Sequence, residues 1–484
     1  MGYGMSRMET DYVYDCEQID DGACSRESNH ELFRLDNEIF HLTRLRSKPS
    51  ECTCKGIGIG RTMPISTTRM LSGREVNCSG KGKFSSADCS HVLGRYLPVN
   101  GPRLMDKMDT RAYVSQFSAD GSLFVAGFQV LSSWICNSNF LHWTGSHIRI
   151  YDVDNGWKLK KDVLARRLRW TITDTSLSPD MHYLVYSSMS PVVHIVNVGT
   201  DAKESHANIT DLHDGLDFSV HEDVVYSFGI FSVKFSSDGR EIVAGSSDNS
   251  IYVYDLQANK PTSRISAHSS DVNTVTFADE TGHIIYSGGD DNLCKVWDRR
   301  CSNAEGQAVG VLIGHLEGIT FIDSREDGHY FISNGKDQTI KMWDIRKMSS
   351  SADCTRGTRG RTSDWDYRYM QYPAQYKHLR HPKDQSVSSY QGHQVLRTLI
   401  RCYFSPSYST GQKYIYTGSY DSSVYIYDVL TGDQVARLEG HQLTVRDCSW
   451  HPYYPMLLSS SWDGLIARWE SSGKSAVPAV DDSE

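Results

Sequence analysis

The stretch ITFIDSREDGHYFISNGKDQTIKMWD, Ile319 to Asp344, decides the fold. It runs as an apolar strand, a Gly-containing turn at Asp327-Gly328, a second apolar strand, an Asp turn at Asp337 and a third strand closing on Trp343-Asp344. Short apolar runs punctuated by Gly and Asp are the pattern of strands joined by tight turns. The unit recurs in four other clear copies: FSVKFSSDGREIVAGSSDNSIYVYD, VNTVTFADETGHIIYSGGDDNLCKVWD, RCYFSPSYSTGQKYIYTGSYDSSVYIYD and VRDCSWHPYYPMLLSSSWDGLIARWE. Two weaker copies, VSQFSADGSLFVAGFQ continued by GSHIRIYD, and LRWTITDTSLSPDMHYLVYSSMSPVVHIVNV, bring the number to seven.

The third strands end at Asp152, Asn197, Asp255, Asp298, Asp344, Asp428 and Glu470. Most intervals approach the roughly 40 to 45 residues of a WD repeat. These copies resemble the WD-repeat (WD40) family. The resemblance implies an all-β fold, a seven-bladed β-propeller with four strands per blade. Asp248, Asp291, Asp337, Asp421 and Asp463 each precede the aromatic of their third strand by six residues, in the turn between second and third strands. In the family, a His ahead of the first strand reaches that Asp. The resemblance therefore assigns His268, Asp291, His315, Asp337, His393, Asp421, His441 and Asp463 to a structural blade network. After Trp469-Glu470 only a polar tail remains, so the segment 91–99, HVLGRYLPV, is expected to close the ring as the outer strand of the last blade. Closure removes exposed strand edges.

Composition agrees with many short strands: of 484 residues, 39% are hydrophobic, with 27 Tyr, 10 Trp and 38 Gly. No apolar run approaches the roughly 18 residues of a membrane span. MGYGMS fits a loose N-myristoylation pattern, but one acyl chain binds membranes only marginally and acidic residues follow it. The 12 Cys are scattered without a disulfide framework, and Cys52-Thr-Cys54 lacks a second pair at zinc spacing. Reduced thiols, no metal, no cofactor and a location in nucleus and cytoplasm are the expectation. A net charge of -9 argues against general nucleic-acid affinity.

Three segments break the rhythm. Gly127 and Ile148 are 21 residues apart where Gly245 and Ile251 are 6 apart, and the excess of 15 is assigned to residues 130–144. This apolar insertion, with Trp134, Phe140 and Trp143, is either a partner-binding loop or a dispensable segment, the second being favoured because exposed apolar loops are liabilities. A second excess, about 348–384, mixes Arg, Lys and His with Trp365, Tyr367, Tyr369, Tyr372 and Tyr376. Such mixing marks single-stranded nucleic-acid binding in some proteins, but a partner-binding loop is the ordinary account. SVSSYQ after it has the character of an outer strand, which places the loop between third and fourth strands, on the same face as Arg346. Residues 1–90 form the third departure, polar and mostly disordered in character. Within them Leu32, Leu35, Ile39 and Leu42 give a helical stripe over about 30–46 that needs a surface to pack on. The domain reading is thus an extension at 1–90, a propeller at 91–470 and a tail at 471–484.

Trp-Asp-x-Arg occurs at Trp297-Asp298-Arg299-Arg300, at Trp343-Asp344-Ile345-Arg346 and at Trp365-Asp366-Tyr367-Arg368. Only the first two follow a full repeat, and these match what is called the DWD box. Two boxes in consecutive blades resemble WD-repeat substrate receptors of cullin-4 ubiquitin ligases. The acidic start, LFRLDNEI, GSHIRIYDVDNGWK, WTITDTSLSPD and SDWDYRYMQYP extend the similarity to the WD-repeat protein twenty-three group, which has plant and animal members. The resemblance implies a non-catalytic receptor. Trp297, Asp298, Arg300, Trp343, Asp344 and Arg346, with Leu32, Leu35, Ile39 and Leu42, would bind the ligase's propeller adaptor, and another surface would present a protein target. Arg suits such a junction because its planar fork stays charged. The alternative is a WD-repeat interaction scaffold with no ligase link. A propeller enzyme is disfavoured, since no acid, base and nucleophile cluster stands apart from the repeat-defining positions.

Overall fold

The computed structural model describes residues 93–94, 96–129, 146–165, 168–199, 213–219, 228–300, 307–350, 365–377 and 379–471. The helix expected at 30–46, the insertion at 130–144, the start of the basic loop and the terminal tail lie outside them. By chain contacts the protein divides into Met1–His91 and Val92–Glu484, and the described residues belong to the second unit.

Seven antiparallel sheets of four strands each make up that unit. Blade five shows the order: Ile319–Ser324 innermost, then Tyr330–Gly335, Thr339–Asp344 and the outer strand Ser388–Gln391. Inner strands of successive blades abut, and Arg111–Phe117 of blade one meets Val445–Trp450 of blade seven, completing the circle. The core is not a single mass but seven layers, each between two blades. One such layer joins Tyr286 and Val296 of blade four to Ile322, Phe331 and Trp343 of blade five. Stacking of sheet on sheet explains the burial pattern. Second strands such as Leu123–Gln129 are buried on both faces, whereas the outer strand Lys158–Leu164 is mostly exposed.

Turn chemistry repeats with the blades. Between second and third strands the Asp carboxylate accepts the N–H two residues on, as from Leu293 to Asp291 and from Leu465 to Asp463. The residue between them takes a left-handed conformation, at φ 68° for Asn292 and 80° for Gly464. Short polar side chains tolerate that geometry, which is why Asp-Asn, Asp-Gln and Asp-Gly mark these turns.

Ring closure differs from expectation in position. The outer strand of blade seven is Pro98–Lys107, paired with Leu465–Ser471, and not the 91–99 segment. VNGPRLMDK looks unlike a strand because of its Gly-Pro. At the ring seam this strand bonds on one side only, so a missing N–H and register shifts are tolerated.

Blades four, five and seven carry the complete internal network. In blade five, His315 Nδ1 lies 3.0 Å from Asp337 and its Nε2 lies 2.6 Å from Ser333 Oγ, which also accepts the Trp343 indole N–H at 2.7 Å. Asp291, His268, Ser287 and Trp297 repeat this in blade four. Asp463, His441, Ser459 and Trp469 repeat it in blade seven. Blade six corrects the expectation. His393 bonds the Tyr427 hydroxyl at 3.1 Å and Asn334 Oδ1 at 3.0 Å, while Asp421 takes the Tyr425 hydroxyl and Arg437. The cause lies in two substitutions. Thr417 stands where blades four, five and seven have Ser and turns its hydroxyl to the Arg401 carbonyl, and Tyr427 stands where those three have Trp.

Ser333→Ala would leave the buried Trp343 indole N–H without its acceptor and the buried His315 Nε2 without its donor, so urea unfolding should show a loss on the order of 2 to 4 kcal/mol. Burial holds His393 neutral, its pKa pushed down to about 4. A folded-state pKa below the unfolded value near 6.5 means that the unfolded chain binds the extra proton. The contribution is full above about pH 6.5 and is lost as pH falls toward 4, on the order of 3 kcal/mol in all. The stability gap between the native chain and His393→Gln should therefore narrow over that window.

Candidate functional site

Third strands run toward one end of the propeller axis and the turns between second and third strands lie at the other. Asp298 and Asp344 end their third strands in adjacent blades, so the two Trp-Asp-x-Arg copies emerge at the same end. Trp297 and Trp343 are buried, at 4% and 0% exposure, inside the networks just described. They hold the strand ends; a partner cannot reach them.

The two arginines are what remains outside. Arg346 lies in a short 3-10 turn, Ile345–Lys347, capped by the Asp344 carboxylate. Its Nε and Nη2 clasp the two Asp344 oxygens at 2.8 Å each, and Nη2 also donates to the Tyr330 hydroxyl at 2.8 Å. Arg300 makes the same fork to Asp298, at 3.0 and 2.8 Å. Both side chains are 60% exposed. The Arg300 hydrogen bond draws the Asp298 carboxyl down to about 2, so the pair stays ionised across physiological pH. Each arginine is thus aimed by its own Asp while presenting a charged plane to solvent. Arg299, next to Arg300, does something else: it bridges to Glu241 of blade three at 2.7 and 2.8 Å and donates to the Gly282 carbonyl.

The same end carries apolar surface that sequence reasoning missed. Tyr408, Leu430, Tyr453 and Tyr454 of blades six and seven are all exposed, and the Tyr408 and Tyr453 rings meet edge to face at 5.0 Å. The available signal was HPYYP, a pair of tyrosines in a turn where the other copies have Ser, Asp and Gly.

The basic loop is displaced from where it was expected. Its described residues 365–377 lie at the opposite end, and its last residues return along the flank of blade five, where Lys341 pairs with Asp384 at 2.5 Å. At that opposite end the Tyr367 carbonyl accepts the Arg397 N–H, and the Lys336 ammonium stands 4.1 Å from the Tyr367 ring. Trp365, Tyr372 and Tyr376 pack against one another rather than offering bare faces for bases. The third Trp-Asp-x-Arg is a turn within this loop, with Asp366 accepting the Arg368 N–H, and not a strand end. Leu32, Leu35, Ile39 and Leu42 lie outside the described residues. Among the described residues no cluster of His, Cys, Asp and Glu could hold a metal.

A model described as "WD domain, G-beta repeat" matches residues 306–344, 384–428 and 432–470, and one described as "Nucleolar protein 10-like, N-terminal domain" matches 158–318. The LEC14B protein of Lithospermum erythrorhizon is 60% identical over 99% of this chain and 98% of its own length. The LEC14B homolog of Prunus armeniaca is 62% identical over 96% and 94%. The DDB1- and CUL4-associated factor 11 homolog of Caenorhabditis elegans is 34% identical over 96% of this chain and 81% of its own.

The neighbouring arginines separate by substitution. Arg299→Ala breaks a partly buried bridge between blades and should lower stability by about 1 kcal/mol. Arg300→Ala should leave the thermal midpoint unchanged; a drop equal to that of Arg299→Ala would mean that Arg300 is structural too.

Proposed function

The chain belongs to the WD-repeat family that includes the LEC14B proteins and the DDB1- and CUL4-associated factor 11 homologs, and from that membership we propose that it is a substrate receptor of a cullin-4 ubiquitin ligase. The name of the Caenorhabditis relative carries the partners of this reading, DDB1 and CUL4. The observation that carries the reading in this chain is the pair of exposed, Asp-clasped arginines at one end of adjacent blades. A planar cation already oriented loses little freedom on docking and offers directional donors to a partner's carboxylates or carbonyls. The exposed tyrosines and Leu430 beside them give that end the mixed aromatic and Arg character of an interaction surface. The receptor is non-catalytic on this reading: ubiquitin transfer belongs to other subunits, and a target protein is held elsewhere on the propeller. The helix at 30–46 adds a second grip on the adaptor, through Leu32, Leu35, Ile39 and Leu42. Its location is nuclear and cytoplasmic.

The double variant Arg300→Ala, Arg346→Ala should fold normally and lose co-purification of DDB1 from cell extract, with Arg→Lys at both positions intermediate because Lys cannot reproduce the fork. Undiminished DDB1 capture by the folded double alanine variant would leave only a scaffold with no ligase link. Deletion of residues 30–46 should weaken capture without altering the propeller's melting; capture at full strength would remove the helix from the interface.

A further inference from the structure

The end of the propeller opposite Arg300 and Arg346 opens into a cavity of about 1020 Å³ on the ring axis. Its lining carries more positive than negative side chains. Arg111, Arg169, Lys336, Arg368, Arg397 and Arg446 line it, against the carboxylates of Asp271 and Asp290. Asp290 is already neutralised by Lys336 at 2.6 Å. Among the described residues neither Arg111 nor Arg397 is ion-paired; they lie over the Trp462 and Tyr420 rings, at 4.4 and 5.2 Å. Aromatic surface is interleaved with this charge, with Trp170 and Tyr369 largely exposed at the rim.

The floor is built as well as charged. Arg446 is 4% exposed, and its guanidinium spans the channel to the carbonyls of Tyr113 and Thr173. Its Nε has no hydrogen-bond partner. Beside it, Arg401 bridges Asp174 at 2.7 Å and Asp447 at 3.3 Å, and Lys234 lies 3.8 Å from Asp174. Arg401 and Arg446, both buried, and the partly buried Lys234 thus gather about Asp174 and Asp447 at the channel floor. Burial and the neighbouring Arg401 draw the Arg446 pKa down to about 10, the direction expected of an undercompensated cation.

We propose that this opening is a binding site for an acidic peptide segment, whose carboxylates meet Arg111, Arg397 and the Arg446 floor while its apolar side chains rest on Trp170 and Tyr369. The surplus of positive charge in a low-dielectric funnel attracts and orients such a segment. The lining cations come from blades one, two, five, six and seven, with none from blades three and four, and such a spread suits carboxylates placed along a peptide better than one dianionic phosphate. A nucleic-acid strand fits less well: among the described residues the Asp271 carboxylate in the lining makes no ion pair, and the chain's net charge is -9. The inference complements the receptor reading by giving the target-facing site and its chemistry, but it rests on the funnel alone. Peptide binding is measured without the adaptor, so the two readings fail separately.

The test uses the full chain and fluorescence anisotropy of a short labelled peptide of alternating Glu and Leu. The expected result is binding that weakens with salt and falls about tenfold or more in Arg111→Glu, Arg397→Glu, while Arg111→Lys, Arg397→Lys retains it and DDB1 capture is unchanged. If charge reversal lowers the melting temperature, Arg111→Gln, Arg397→Gln serves instead, with the same loss expected. Absence of binding, or binding that survives in either loss variant, overturns the proposal. Tighter capture of a peptide with phosphoserine in place of Glu would make the site phosphate-specific, and tighter capture of a matched single-stranded oligonucleotide would make it a nucleic-acid site; either also overturns it.

Discussion

A serine hydroxyl shared between an indole N–H and a histidine is the bond on which this structure depends. In blades four, five and seven it ties the loop entering the blade, which carries the His, to the third strand, which carries the Trp. The Asp on the far side of each His holds the adjoining turn through a second bond. Every member is buried and has a partner, and under those conditions a polar network specifies one geometry rather than weakening the core. The hydrophobic layers between blades supply most of the driving force. The network sets the register of entry loop and strands within each blade.

That register has a functional consequence at the strand ends. Blades four and five carry both the complete network and an Arg two residues past the Trp-Asp pair. Because the indole is locked inside, the following Asp leaves the blade at a fixed point, and its carboxylate then clasps the Arg in a fork. Blade seven has the network but continues as Trp469-Glu470-Ser471, and blade six has neither the network nor the Arg. The arginine plane is therefore presented by a chain of constraints reaching from a buried serine to solvent. Arg299 illustrates how specific the position is: one residue earlier, the same side chain type turns to blade three and becomes a strut.

What was legible in the sequence follows from how local its cause was. The Asp turns, the third-strand aromatics and the outer strand Ser388–Gln391 each depend on neighbours within a few residues, and each stands where the pattern put it. Blade six departs because the Thr417 side chain, similar to Ser in composition, finds a backbone acceptor of its own. The closing strand was misplaced because Pro98–Lys107 is held by its partner rather than by its own strand character. The basic loop was assigned to the wrong end because contacts distant in sequence, such as Lys341 with Asp384 and the Tyr367 carbonyl with Arg397, fix its place. The charged funnel was hidden altogether. Arg111, Trp170, Lys336, Arg397 and Arg446 are far apart in the chain and belong to no motif; only closure of the ring brings them round one axis.

The two ends are joined by a channel that is filled rather than open. Arg401 and Arg446, with Asp174, Asp447 and the Tyr113 and Thr173 carbonyls, link blades across the axis at mid-height. Removing one partner from such a buried set leaves an uncompensated charge, so it has no low-energy alternative arrangement and resists opening. Among the described residues, this set offers a ligand in the funnel no second arrangement through which to act on the arginine face, since coupling requires an element with two arrangements that both sites bias. On the receptor reading, the propeller acts as a rigid spacer: adaptor and target are held at opposite ends of one axis at a fixed separation and angle. Specificity for the target then resides in the funnel's charge and shape, and delivery to the ligase resides in geometry alone.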